Sequence, residues 1–325
     1  MTTTNPFGRQ GWTPDRISSL AGRTYVITGT TTGVGYEATR VLLSKGAHVV
    51  MLNRSIERAA AAAAALRSDV GQDAAITSIH LDLASFASVR AAAAEVLDTV
   101  PRIDAFIANA AVSQVAVQEF TEDGFERHLA VNYLGHFLLT RLLFDRIDES
   151  GGRIAMVGSN SYKMGLQRIQ FEDMNFDHNY NPRNPYAHSK LALMMFGYEL
   201  DRRARAAGHD VEVRVCHPGW SRTDLLQGDN LDRIAKRAAA ILAPITAQSA
   251  ERGSWPTVLC ATEDDIAPET YWGPTKRMDM VGPVGPNELD DVALDRDAAA
   301  RLWTVSQEMT GVAWELPADH EEVAR

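Results

Sequence analysis

Between residue 24 and about residue 217, short apolar runs alternate with longer stretches of helical period. Thr24–Thr28, 47–52, 76–81, 103–108, Arg153–Val157 and 211–216 are apolar almost throughout, as strands buried on both faces should be. Between them lie helical stretches: one ending near Leu43, then 56–66, 85–97, 124–147 and 186–207. Strand–helix alternation at this spacing predicts an α/β domain built on a doubly wound parallel sheet with right-handed crossovers.

After Gly219 the pattern loosens. Helices are expected over 230–242 and 247–261, with a short strand at 269–272. A Gly/Pro-rich loop follows (Gly273-Pro274, Gly282-Pro283, Gly285-Pro286), then a helix over 296–309. No second core is legible. Residues 1–21 read as an N-terminal extension and 22–325 as one domain. Within it, about 225–290 covers the substrate and about 291–325 forms a C-terminal helix and tail. The alanine tract 59–65 is a helix former rather than a linker, and the chain carries no internal repeat.

Composition narrows the class. With 45% hydrophobic and 23% charged residues, the chain is that of an ordinary globular protein. Its net charge of −10 argues against a nucleic-acid partner, which needs a basic surface. The first residues lack a basic-then-apolar leader, and no apolar run is long enough to cross a membrane. A cytoplasmic protein without membrane contact is expected. Cys216 and Cys260 both sit in apolar stretches and read as buried thiols.

The chemistry begins with Tyr186 and Lys190. Four residues apart on a helix, they share a face. An ammonium roughly 4 Å from a phenol, at an effective dielectric of about 20, favours the phenolate by ~4 kcal/mol. That is about three pKa units, moving tyrosine from ~10 towards ~7, where acid–base catalysis works best. His188 between them points elsewhere, and His136 and His217 read as structural. The pair alone is a weak signal; it needs a cofactor site.

Such a site follows the first strand. Gly29, Thr31, Thr32, Gly33, Val34 and Gly35 form a glycine-rich turn that opens a helix, where backbone amides can receive a pyrophosphate. An acid at the end of the second strand would select NAD; the chain has Asn53 and Arg54 instead, and a guanidinium suits the 2′-phosphate of NADP(H). NADP(H) is therefore expected over NAD(H). Asp82, before Leu83, either accepts from the adenine or caps the next helix.

Taken in order, the glycine turn, Asn109-Ala110-Ala111, Asn132, Ser159 and Tyr186/Lys190 resemble the short-chain dehydrogenases/reductases over nearly the whole chain. Val131–Phe137, His217–Thr223 and Leu302–Val312 resemble the branch of retinol dehydrogenases and protochlorophyllide-reductase-like proteins. The resemblance implies a Rossmann-type sheet and reversible transfer of hydride between the cofactor and a small-molecule alcohol or carbonyl. It makes Tyr186 the acid/base, with Lys190 lowering its pKa and holding the nicotinamide ribose. Ser159, with Ser161 as its rival, holds the substrate oxygen, and Asn132 anchors a water leading to Lys190. Asn109 and Ala110 line the cofactor, and Pro218, Gly219 and Thr223 contact the carboxamide. A homo-oligomer, dimer or tetramer, is implied as well, through the helices after the fourth and fifth strands unless the C-terminal residues obstruct them.

Two positions depart from the family pattern. Ala111 replaces a glycine, which would crowd the cofactor or strain the loop, and Gly158 replaces a serine, which would widen the pocket. Leu225, Leu226, Leu231 and Trp220 suggest an apolar, bulky ligand. Reduction of a carbon–carbon double bond on the same scaffold, and a non-catalytic NADP-binding sensor, are the other readings.

Overall fold

The computed structural model describes residues 5–113, 115–178, 180–221, 247–264 and 266–316. In chain order its elements are β1 (Thr24–Thr28), α1 (Gly33–Ser44), β2 (His48–Asn53), α2 (Ile56–Val70) and β3 (Ile76–His80). Next come α3 (Phe86–Thr99), β4 (Ala105–Ala108), α4 (Gly135–Glu149), β5 (Arg153–Val157), α5 (Arg183–Ala206) and β6 (Glu212–Cys216). The chain then adds α6 (Ala250–Thr262), β7 (Tyr271–Lys276), β8 (Val281–Asn287) and α7 (Arg296–Thr310). The sheet order is β3-β2-β1-β4-β5-β6-β7-β8, parallel except for the antiparallel β8. Between β1 and β4 the order reverses, and ligands of such sheets bind at the carboxyl ends of the strands there.

Successive strand residues feed two cores, as the period of two requires. Val26, Val50, Leu52 and Phe106 face α3, α4 and α5. Tyr25, Ile27, Val49 and Met51 face the side covered by α1, α2 and α6. Serine hydroxyls cap α2 and α3: Ser55 accepts from the Arg58 amide and Ser85 from the Ser88 amide.

Several expectations are corrected here. The Gly/Pro-rich stretch is not a loop: β7 and β8 form a hairpin at the sheet edge, where proline's missing donor is tolerated. Its turn runs through Arg277, Met278 and Asp279, all at positive φ. Of the N-terminal extension, the described residues 5–21 are tied to the domain. The Trp12 amide donates to Val284 O at 3.0 Å, its indole donates to Glu263 Oε2, and Arg16 pairs with Glu263 at 2.7 Å. Helix α6, expected to cover the substrate, buries Val258, Leu259 and Cys260 against α1 and the sheet. At the other end α7 and Trp314 enter the main core, where Trp303 and Trp314 pack on Phe137 and Phe196. The helix expected over 230–242 lies outside the described residues, as does Thr223. Before α4 the chain makes a π-helical turn, Leu129–Leu134, that carries Asn132.

Candidate active site

The glycine loop is shaped by side chains beneath it. The Asn53 amide clamps Thr30: Oδ1 accepts from the Thr30 amide and Nδ2 donates to Thr30 Oγ1, both at 2.8 Å. Asn109 Nδ2 donates to Thr28 O at 2.9 Å and Gly29 O at 3.0 Å, while Thr28 Oγ1 receives the Asn109 and Ala110 amides. A Cβ on Gly35 would stand 2.1 Å from Gly29 O, and one on Gly29 2.9 Å from Ala110 Cα. Only glycine permits that approach. Thr32 leads into α1 without a side-chain cap, unlike α2 and α3, so the first amides of α1, including those of Val34 and Gly35, remain available to a ligand. Uncapped amides at a helix N-terminus fit a pyrophosphate.

Asn53 and Asn109, expected to line the cofactor, use their side-chain amides to hold the loop. Asp82 does not cap α3. Ser85 caps α3, and the Asp82 carboxylate closes its own turn by accepting from the Ala84 amide at 2.9 Å. Leu83 is buried and packs against Gly135. Arg54 is exposed just beyond β2. Ala111 keeps a negative φ, so the expected backbone strain does not arise. Gly158 opens no space, because a Cβ there would meet Met194 Cγ and Sδ at 2.8 Å; the methionine already fills the gap.

Beyond β5 the chemistry-bearing groups converge. Tyr186 stands near Ser159, whose hydroxyl opposes the upward shift of its phenol. Ser159 Oγ donates to Ser161 Oγ at 3.0 Å and accepts from the Ser161 amide at 3.2 Å. One turn along α5, Lys190 is buried and donates to Val157 O at 2.8 Å. Asn132 Oδ1 accepts from the Val112 amide at 2.8 Å. Its Nδ2 donates to Val112 O and to Ser189 Oγ, each at 3.0 Å. Ser189 in turn donates to Tyr186 O at 2.8 Å. The Asn132 side chain therefore braces the start of α5, where a water anchor was expected.

Electrostatics correct the simplest view of the Tyr–Lys pair. Burial pushes the Tyr186 phenol up, with Ser159 opposing, and burial pushes Lys190 down to about 8. In the chain alone, burial is the largest cause of both shifts. His136, His188 and His217 are held by the fold. His136 bonds Thr28 Oγ1 and Asn132 O, His188 Nε2 receives the Gln170 amide, and His217 bonds Asn287 and the Gly219 amide. Pro218 and Gly219 follow β6; Gly219 has φ of +64°, and a Cβ there would meet Met280 O at 2.4 Å.

A family model described as short chain dehydrogenase matches residues 23–234. The chain belongs to the short-chain dehydrogenase family. Among curated relatives, retinol dehydrogenase 14 of Mus musculus is 36% identical over 90% of this chain and 87% of its own. Retinol dehydrogenase 12 of Homo sapiens is 34% identical over 91% and 89%, and polyprenol dehydrogenase of Mus musculus 33% over 93% and 88%. Of solved structures, an uncharacterised protein from Mycobacterium paratuberculosis superposes with a TM-score of 0.75 at 32% identity, covering 94% of this chain and 100% of that one. An NAD(P)-dependent gluconate 5-dehydrogenase from Beutenbergia cavernae, carrying NADP, gives 0.57 at 25% identity over 76% and 92%. This dehydrogenase is thus an oxidoreductase with a nicotinamide cofactor, of the retinol-dehydrogenase-like branch. Among the described residues no helix is long and apolar enough to cross a membrane.

Sequence reasoning passed over Glu126 and His128. In Phe125-Glu126-Arg127-His128 they read as ordinary polar residues of a helix start, yet both are fully buried, and the His128 ring lies 6.1 Å from that of Tyr186. A cleft of about 1050 Å³ lies at the other end of the sheet, against Tyr25, Asp104 and Arg153 at the amino ends of strands. It is remote from these groups.

Proposed function

We propose that the protein interconverts an alcohol and its aldehyde or ketone with NADP(H), using Tyr186 as acid/base on an apolar, bulky substrate. The observation that carries this is the gathering of Tyr186 and Ser159 beyond β5, with the buried Lys190 one helical turn from Tyr186. A bound nicotinamide would supply or accept the hydride. The amides opening α1, with Arg54 beside them, would hold the pyrophosphate and the 2′-phosphate.

As a carbonyl accepts hydride its oxygen gains negative charge, and Ser159 and the Tyr186 hydroxyl are the donors set to receive it. Tyr186 then gives up its proton, and Lys190 stabilises the phenolate left behind. Asn132 holds the start of α5 so that these donors stay in register.

Substrate character is supported from two directions. Val117, Phe120, Met164, Leu166, Trp220 and Met278 are exposed on segments that follow the carboxyl ends of β4, β5, β6 and β7, the end that carries Tyr186. Relatives are named for retinol and polyprenol, both apolar alcohols.

The deciding experiment compares wild type and Tyr186→Phe on retinaldehyde, simple aldehydes and steroid ketones, following NADPH absorbance. Turnover should fall at least ~100-fold in the variant while NADPH still binds. Full turnover in the variant removes the mechanism. Product analysis showing saturation in place of alcohol formation would favour double-bond reduction.

A further inference from the structure

Glu126 and His128 are both fully buried, and His128 Nδ1 lies 2.7 Å from Glu126 Oε1. Buried ionisable residues are rare and gain little for stability over an apolar pair of equal volume. A carboxylate accepts, so Nδ1 carries the proton of this bond and the imidazole is held in one orientation. Among the described residues His128 Nε2 has no partner. By contrast, His136 and His217 have both ring nitrogens bonded to neighbours that hold the fold.

The fixed ring stands against the candidate catalytic residue. Its plane is inclined by 70° to the Tyr186 ring, with centroids 6.1 Å apart, an edge-on contact. Glu126 also works through the backbone. Its Oε2 accepts from the Leu129 amide at 2.9 Å, at the entry of the π-helical turn. That turn carries Asn132, whose amide reaches Ser189 and through it the Tyr186 carbonyl. Two routes from one carboxylate meet at Tyr186, one through its ring and one through its main chain.

We propose that Glu126 and His128 are a positioning pair for Tyr186, the carboxylate fixing the imidazole and the imidazole bracing the phenol ring so that its hydroxyl keeps its place beside Ser159. This rests on Tyr186 being the acid/base. Small displacements of a reacting group cost rate rather than binding, so the pair should act on kcat and leave KM alone.

His128→Gln is the informative variant, because a glutamine amide can still donate to Glu126 while removing the ring. Its kcat should fall about tenfold, with KM for NADPH and for aldehyde within twofold and a melting temperature near wild type. A second readout needs no substrate. In protein labelled with ¹³Cζ-tyrosine, with Tyr186→Phe assigning the line, Tyr186 should give one narrow resonance in wild type and a broadened or split one in His128→Gln.

Should His128→Gln fail to fold, Glu126→Gln carries the same test. Its side-chain oxygen can still accept from Nδ1 while the Leu129 amide loses its acceptor, so a smaller kcat loss is expected. Wild-type kcat with an unchanged tyrosine line overturns the proposal. So does a parallel fall in kcat, both KM values and melting temperature, which marks a merely structural histidine. If Tyr186→Phe kept full turnover, the acid/base reading would fail, while the tyrosine line would still report whether the ring is braced.

Discussion

Two regions of one site use polar side chains in opposite ways. Around the glycine loop, Asn53, Asn109, Asp82 and Thr28 spend their hydrogen bonds within the fold, mostly on backbone, so what is left for a ligand among the described residues is the amides opening α1, which no side chain caps. Around Tyr186 the side chains themselves face the chemistry, and burial displaces them: the phenol is pushed up and the Lys190 ammonium down to about 8. In the first region side chains store shape; in the second they store chemical potential. Substitutions should therefore cost stability and cofactor affinity in one and turnover in the other.

The sharpest way to break this contrast is Lys190→Met. Turnover should fall at least ~100-fold, since the phenolate loses its cation. Stability should move the other way. An ordinary lysine titrates near 10.5, and this one is held at about 8 by burial. The unfolded chain then binds more protons between those values, so stability rises with pH across that window. The penalty is complete below about pH 8, worth about 3 kcal/mol, and fades as pH climbs towards 10.5. Thermal melts of cofactor-free protein should show Lys190→Met above wild type at pH 7 and the gap narrowing at higher pH. A variant less stable than wild type at pH 7 would show that the bond to Val157 O outweighs desolvation.

On the cofactor side, Asn53→Ala should do the reverse. It leaves the buried Thr30 amide and hydroxyl without their partner, a loss of about 1–3 kcal/mol. Chemical denaturation should record that loss, and NADPH affinity should weaken as the loop relaxes. The rate constant at saturating NADPH should stay within about twofold of wild type. A large fall in kcat with unchanged stability would merge the two regions into one.

What the sequence revealed divides along related lines. Strands β1 to β6 were legible because burial on both faces forces apolar runs, and Tyr186, Lys190 and the glycine turn were legible because chemistry fixes their spacing. The β7–β8 hairpin was not, since Pro274, Pro283 and Pro286 read as loop until a sheet edge tolerates them. Its turn also lacks the expected glycines, using Arg277, Met278 and Asp279 at positive φ. The buried state of Glu126 and His128 was hidden as well, for burial of a polar pair depends on what packs over it. The upward shift of Tyr186 was hidden for the same reason: spacing along a helix reports attraction, while desolvation comes from the fold.

Arg54 offers the smallest effect and the finest separation. Unlike Asn53 beside it, the side chain is exposed and free to follow a ligand. Its removal should therefore leave fold, melting temperature and kcat untouched and alter only the choice between cofactors. A charge-assisted bond to a 2′-phosphate is worth about 1.5–3 kcal/mol, so Arg54→Ala should lower the NADPH-over-NADH ratio of kcat/KM by about tenfold. Because that bond is solvent-facing, the loss should shrink as ionic strength rises. A ratio unchanged at low salt would mean that Arg54 does not read the phosphate. Selection would then fall to the amides of Thr31 and Thr32 in the loop that Asn53 shapes, and scaffold and recognition would be one structure.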